Sequence, residues 1–262
     1  MSKNVPIEPV LRKCIDSGKK ALVVYITGGL GDNWIQTMHS VIAAGADVVE
    51  IGIPFSDPVM DGPIIQMANE HSMRSGATPV SILNDLRGEM PAAPLAAMTY
   101  YNLAYRMGHE RFASGLTAAG ISGCILPDLP LEELDVWSEK ASDSEIETIL
   151  LAAPTTPDER LAEICSRTSG FVYAVGLLGV TGVRTELADS AIEIAARLKN
   201  VTSKPVLVGV GIGTPEQAIK ASEVSDGVIV GSAVVREMIE SSSPEKVGEL
   251  VSTFREALDK NC

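Results

Sequence analysis

Glu50 stands in this sequence where a carboxylate is least expected. It interrupts the apolar run Asp47 to Ile53. Because side chains alternate along a strand, it shares one face with Val48, Gly52 and Pro54, while Val49, Ile51 and Ile53 take the other. An acid on an interior face must be paired, hydrated by a cavity or protonated. No cation occupies a matching point of the neighbouring apolar runs, so a general acid or base is the reading for Glu50. Two further carboxylates follow in Pro54-Phe55-Ser56-Asp57-Pro58-Val59-Met60-Asp61-Gly62-Pro63. Aspartate before Pro or Gly also organises turns, and that plainer role stays open for Asp57 and Asp61.

Glycine clusters form a second constellation: Gly179-Val180-Thr181-Gly182, then Gly209-Val210-Gly211-Ile212-Gly213, then Gly231-Ser232. Each follows or ends a late apolar run, where backbone N–H groups and a helix start can approach a phosphate. That geometry is needed because the chain holds 34 acidic and 21 basic residues, a net charge of −13. Such a surface repels nucleic acid and anionic lipid, so neither is expected as a partner. No lysine lies within or at the C-terminal end of an apolar run, which disfavours Schiff-base chemistry. His39, His71 and His109 fall far apart in helical segments, so no metal is expected. Cys14, Cys124, Cys165 and Cys262 form no C-x-x-C pair and read as reduced structural thiols. Carboxylate acid-base chemistry on a small phosphorylated substrate remains.

Eight apolar runs must position these groups: Ala21 to Thr27, Asp47 to Ile53, Ala93 to Tyr100, Ile121 to Asp128, Glu147 to Ala153, Phe171 to Leu178, Pro205 to Ile212 and Gly227 to Val235. Most are apolar throughout, as strands buried on both faces of a parallel sheet require. Helical segments separate them. Asp32 is expected to cap one that Gly45 ends, and Thr214-Pro215-Glu216 and Ser243-Pro244-Glu245 open two more. Eight strand-helix units in 262 residues, 45% hydrophobic and 21% charged and without a linker, predict an α/β fold. The expected form is a single-domain (βα)8 TIM barrel over residues 1–262. An open doubly wound sheet is the alternative, but no G-x-G-x-x-G follows the first run. About 40 residues after the second run hold a long loop and extra helices near Ile64 to Ser75 and Val80 to Glu89. The N-terminus carries no apolar leader and no run of 18 apolar residues occurs, so a cytoplasmic protein is expected.

The stretch from Glu50 to Pro63 resembles the signature of the tryptophan synthase alpha chain family. The likeness continues through Tyr25-Ile26-Thr27, Thr99-Tyr100-Tyr101-Asn102, Leu126-Pro127-Asp128-Leu129-Pro130, Tyr173 and Gly179 to Gly182. It implies retro-aldol cleavage of indole-3-glycerol phosphate to indole and glyceraldehyde 3-phosphate, within L-tryptophan biosynthesis. By position it implies Glu50 and Asp61 as catalytic carboxylates with Tyr173 beside them. Tyr25, Ala97, Tyr100, Ile125, Asp128, Val175 and Val210 are implied to line the substrate pocket, and Gly182, Gly211, Gly231 and Ser232 to bind phosphate. Core packing is an equally good reading for the aliphatic members. The resemblance further implies a beta chain partner in an α2β2 heterotetramer, faced by Asp57, Pro58 and Asn102. Pyridoxal phosphate would belong to that partner, with no cofactor in this chain. A different phosphate-binding barrel, such as a sugar-phosphate isomerase, and a binding module that only activates a partner are the competing readings.

Two departures stand out. Gly176-Leu177-Leu178 replaces the family's usual Ser-Arg before Gly-Val-Thr-Gly, which puts closure of that loop in doubt. Gly28-Gly29-Leu30-Gly31-Asp32 replaces its usual Gly-Asp-Pro turn.

Overall fold

The computed structural model describes residues 4–176, 189–209 and 211–260, residue 189 by its backbone alone. The chain runs α1 (Ile7–Asp16), β1 (Ala21–Thr27), α2 (Trp34–Ala43), β2 (Val48–Gly52), α3 (Pro63–Arg74), α4 (Pro79–Leu86) and β3 (Leu95–Met98). Then come α5 (Tyr101–Met107), α6 (His109–Ala118), β4 (Ile121–Ile125), α7 (Leu134–Asp143), β5 (Glu147–Ala152), α8 (Asp158–Arg167) and β6 (Val172–Ala174). The last part holds α9 (Asp189–Lys199), β7 (Val206–Val208), α10 (Pro215–Ser222), β8 (Gly227–Val230), α11 (Ser232–Ser241) and α12 (Pro244–Lys260). The eight strands pair in sequence order, all parallel, and β8 closes on β1. A TIM barrel results, as the eight apolar runs predict.

Two apolar layers explain why the strands lack polar alternation. Leu22, Val24, Val49, Ile51 and Leu95 point outward and pack with the helices, whereas Val23, Val48, Ala96, Ile149 and Leu207 fill the barrel. The register places Tyr25 beside Glu50 and Glu50 beside Ala96, so all three belong to one inward tier.

Local signals fix the helix starts, with some differences from expectation. Thr214 accepts from the Gln217 N–H in a capping box, and the Ser243 hydroxyl accepts from the Lys246 N–H at 3.3 Å. Asp32 does not cap α2; Asn33 holds that position without a side-chain bond, one residue nearer the helix. Thr78 opens α4 through Ser81, and the helix ends at Leu86, short of Glu89. The eighth apolar run also extends past its strand, because Ser232 already begins α11.

The first helix, α1, is not among the expected elements, although Ile7, Val10, Leu11, Cys14 and Ile15 carry its periodicity. It lies across the N-terminal end of the barrel, with Ile7 and Leu11 fully buried in the interior cluster. Glu147, at the start of β5, holds it there. Its two carboxylate oxygens accept from the Ile7 N–H at 2.6 Å and the Glu8 N–H at 3.0 Å. Two otherwise unpaired donors at the helix start are thereby satisfied. Replacing Glu147 by Ala should lower the unfolding free energy by about 1–2 kcal/mol, within the range for loss of a helix cap, with turnover unchanged. Urea titration alongside an activity assay checks both halves.

Candidate active site

Glu50 sits in the middle of β2, fully buried, and neither carboxyl oxygen has a hydrogen-bond partner among the described residues. Burial raises its pKa from 4.5 to about 8, and the negative charge of Asp61 adds to the shift. With its pKa at about 8, the side chain carries its proton at neutral pH.

Two phenols share its surroundings. Tyr25, on the neighbouring strand, and Tyr173, on β6, are both nearly inaccessible, and burial pushes both far above the usual phenol value. They remain neutral and polar but donate no charge. Close approach of backbone makes room for them. A Cβ on Gly52 would overlap the Tyr25 hydroxyl, and one on Gly209 would overlap the Tyr173 ring.

Asp61 reaches the same region from the loop before α3. Its Oδ2 accepts from the Asn69 amide at 3.0 Å, and the Tyr100 hydroxyl donates to the same carboxylate. That hydroxyl in turn accepts from the Met60 N–H at 2.9 Å, and the Tyr100 ring stacks on Phe55 with centroids 5.1 Å apart. Burial raises the Asp61 pKa, while the Tyr100 and Asn69 hydrogen bonds pull it back down. The two acids thus differ in kind: one is dry and unpartnered, the other is held by donors that favour its anion.

A cavity of about 260 Å³ lies beside the C-terminal ends of β4, β5 and β6, lined by Met60, Leu126, Leu131, Leu151, Ile164 and Val175 among others; neither acid is part of its lining. Ile125, Val175 and Tyr173 belong to the inward cluster, and Tyr100 reaches Asp61 through its hydroxyl. Ala97 does not share that placement. Its neighbours in sequence alternate, so Ala96 takes the inward face and Ala97 packs with Cys124 in the outer layer. Asp128 also differs from expectation: it is exposed, and its Oδ1 accepts from the Tyr101 N–H at 2.7 Å, tying the start of α5 to the loop after β4.

At the other side of the mouth, Gly231 and Ser232 begin α11, whose first turn has no side-chain cap. Gly211 lies before α10 with φ +83°. The nearby Gly213 and Thr214 N–H groups are already taken by Gln217 Oε1, at 2.7 and 3.1 Å. Gly182 and Val210 lie outside the described residues, as do Leu177 and Leu178. Asp57 and Asn102 are exposed and Pro58 is partly so. Asn69 is the site residue that sequence reasoning misses. Its spacing of eight from Asp61 spans about two helical turns, a signal visible only once α3 is known to begin at Pro63.

The family model described as tryptophan synthase alpha chain matches residues 11–261. The chain belongs to the tryptophan synthase alpha chain family. Among relatives, the alpha chain from Streptomyces avermitilis is 42% identical over 228 residues, 86% of this chain and 82% of that one. The alpha chain from Arabidopsis thaliana is 38% identical over 262 residues, 98% of this chain and 95% of that one. The solved alpha chain from Legionella pneumophila superposes with a TM-score of 0.87 at 34% identity, covering 97% of both chains. A chain of Mycobacterium tuberculosis tryptophan synthase gives 0.88 at 34% identity, covering 96% of this chain and 97% of that one. The family is one of lyases, in agreement with a barrel whose mouth carries acids.

The raised pKa of Glu50 has a consequence for stability. The folded value, about 8, lies above the unfolded 4.5, so the stability of the folded chain associated with this proton is complete below pH 4.5 and is lost as pH rises through 8. Glu50→Gln should therefore gain stability relative to wild type across that window, by on the order of 3 kcal/mol at pH 7. Urea midpoints measured from pH 5 to 9 test this; a difference that stays flat with pH would rule out a protonated Glu50.

Proposed function

We propose that this chain cleaves indole-3-glycerol phosphate to indole and glyceraldehyde 3-phosphate, with Glu50 and Asp61 as the catalytic pair. The observation that carries the reading is the fully buried Glu50, without a hydrogen-bond partner among the described residues and with its pKa raised by burial, in the same region as a half-buried carboxylate held by two donors. The bond between indole C3 and the glycerol carbon breaks once C3 is protonated, because the ring then accepts the bonding electrons and regains aromaticity. Glu50 supplies that proton. Asp61 accepts the hydrogen bond of the indole N–H and favours the positive charge that develops on the ring. The Glu50 carboxylate left behind takes the proton of the glycerol hydroxyl as its C–O bond becomes the aldehyde. Protons and electrons balance within the substrate and one side chain.

The dry tier of Tyr25, Ile125, Tyr173 and Val175 fits an aromatic ring. Gly211, Gly231 and Ser232, with Gly182, are assigned to the phosphate, which the uncapped start of α11 favours. Val210 is assigned to the ring pocket with them. We further infer one barrel domain acting in the cytoplasm; among the described residues no helix is long and apolar enough to cross a membrane. A beta chain is inferred as partner in an α2β2 assembly, docking over Asp57, Pro58 and Asn102, with pyridoxal phosphate held by the beta chain.

Purified protein, given indole-3-glycerol phosphate with and without a beta chain, should release indole. Glu50→Gln and Asp61→Asn should each lower kcat by roughly 10²- to 10⁴-fold. Wild type that releases no indole even with the beta chain present would exclude the reaction.

A further inference from the structure

We propose that Asn69 is a positioning residue for this cleavage, fixing from α3 the direction in which the Asp61 carboxylate faces the barrel mouth, and that the turn after β1 sets where α3 sits. The proposal rests on the reaction assigned above.

The amide of Asn69 has only one orientation consistent with its neighbour. An ionised carboxylate accepts and cannot donate, so the edge turned toward Asp61 Oδ2, at 3.0 Å, is the NH2. Asn69 Oδ1 is consequently buried with no hydrogen-bond partner among the described residues. An asparagine kept only for packing would not leave an acceptor stranded in this way, and an apolar side chain would fill the space without that penalty. The donor is what an asparagine supplies here that an apolar side chain would not. Tyr100 approaches the same carboxylate from beyond β3, so donors on two separate elements hold it.

The position of α3 is set equally firmly. Three residues beyond Asn69, the buried Ser72 hydroxyl donates to the Gly28 carbonyl at 2.8 Å. Gly28 N–H donates to the Gly52 carbonyl at 2.9 Å, which connects the same turn to the end of the strand carrying Glu50. Gly29 has φ +72°, and a Cβ there would stand 2.7 Å from Ala77 Cβ and 2.9 Å from Ser72 Oγ. The Gly28-Gly29 pair thus lets α3 pack closer to the first loop than a side chain would permit. The departure from the family's usual Gly-Asp-Pro turn acquires a physical consequence: the helix that orients one acid is seated on the strand end that bears the other.

The titratable groups whose charge couples to Asp61 among the described residues are Glu50 from β2, Tyr25 from β1, Tyr100 from beyond β3 and Tyr173 from β6. Loss of the Asn69 donor removes a bond that favours the Asp61 anion, so its proton is held to higher pH.

The test compares wild type with Asn69→Asp, which keeps the shape without the donor, and Asn69→Ala, following kcat, KM, the pH profile and the thermal midpoint with indole-3-glycerol phosphate. The expected result is a fall in kcat of about 10- to 100-fold with little change in KM. The acid limb of the kcat profile should move to higher pH, further for Asp than for Ala because Asp adds a like charge. An acid limb that stays in place overturns the proposal, and so does a rate loss that follows the thermal midpoint with Ala worse than Asp. Wild-type activity with unimpaired variants removes Asn69 alone, whereas an inactive wild type overturns the reaction and this inference together.

Discussion

The structure turns on the burial of an acid that has no cation beside it among the described residues. A carboxylate taken out of water is tolerated only when paired, and an unpaired one takes up a proton instead. Glu50 follows the second course, because its strand is apolar on both faces and its neighbours are phenols that stay neutral. Water that reached this tier, or a cation placed against it, would return Glu50 to an ordinary anion with no proton to give. The tight approach of Tyr25 over Gly52 and of Tyr173 over Gly209 is thus part of the acid's chemistry as well as of its packing.

The second acid is organised on the opposite principle. Glu50 takes its position from a strand paired on both sides, and needs nothing else to aim it. Asp61 lies in the loop between β2 and α3, where a carboxylate has more freedom, and depends on hydrogen bonds from Tyr100 and Asn69 to limit it. One strand-loop-helix segment thereby delivers both acids, rigid in one case and tethered in the other.

Much of this arrangement is legible in the sequence because the barrel imposes simple rules. Strands buried on both faces must be apolar throughout, so the eight runs stand out, and Glu50, the one acid in the interior of a run rather than at its end, stands out among them. Side-chain alternation puts Glu50 on the inward face without any coordinates. The same rule, applied to Leu95–Met98, turns Ala97 outward, against the pocket position that the family resemblance implies. What sequence does not carry is long-range pairing. That Asp128 ties the start of α5, that Glu147 caps α1 across 139 and 140 residues, and that Asn69 turns its amide to Asp61 depend on which ends meet in space. The helix α1 is a different case, since its periodicity is plain but lies ahead of the repeating strand-helix units that draw attention.

The seating of α1 beneath the strands makes the barrel a vessel with a floor. Ile7 and Leu11 close that floor from below, fully buried against the inward-facing side chains of the strands. Whatever enters must cross the upper rim, and both fragments of a broken molecule must depart over it again. The order in which they leave is then decided by the few loops around one opening, and a second protein seated there would govern all traffic in both directions.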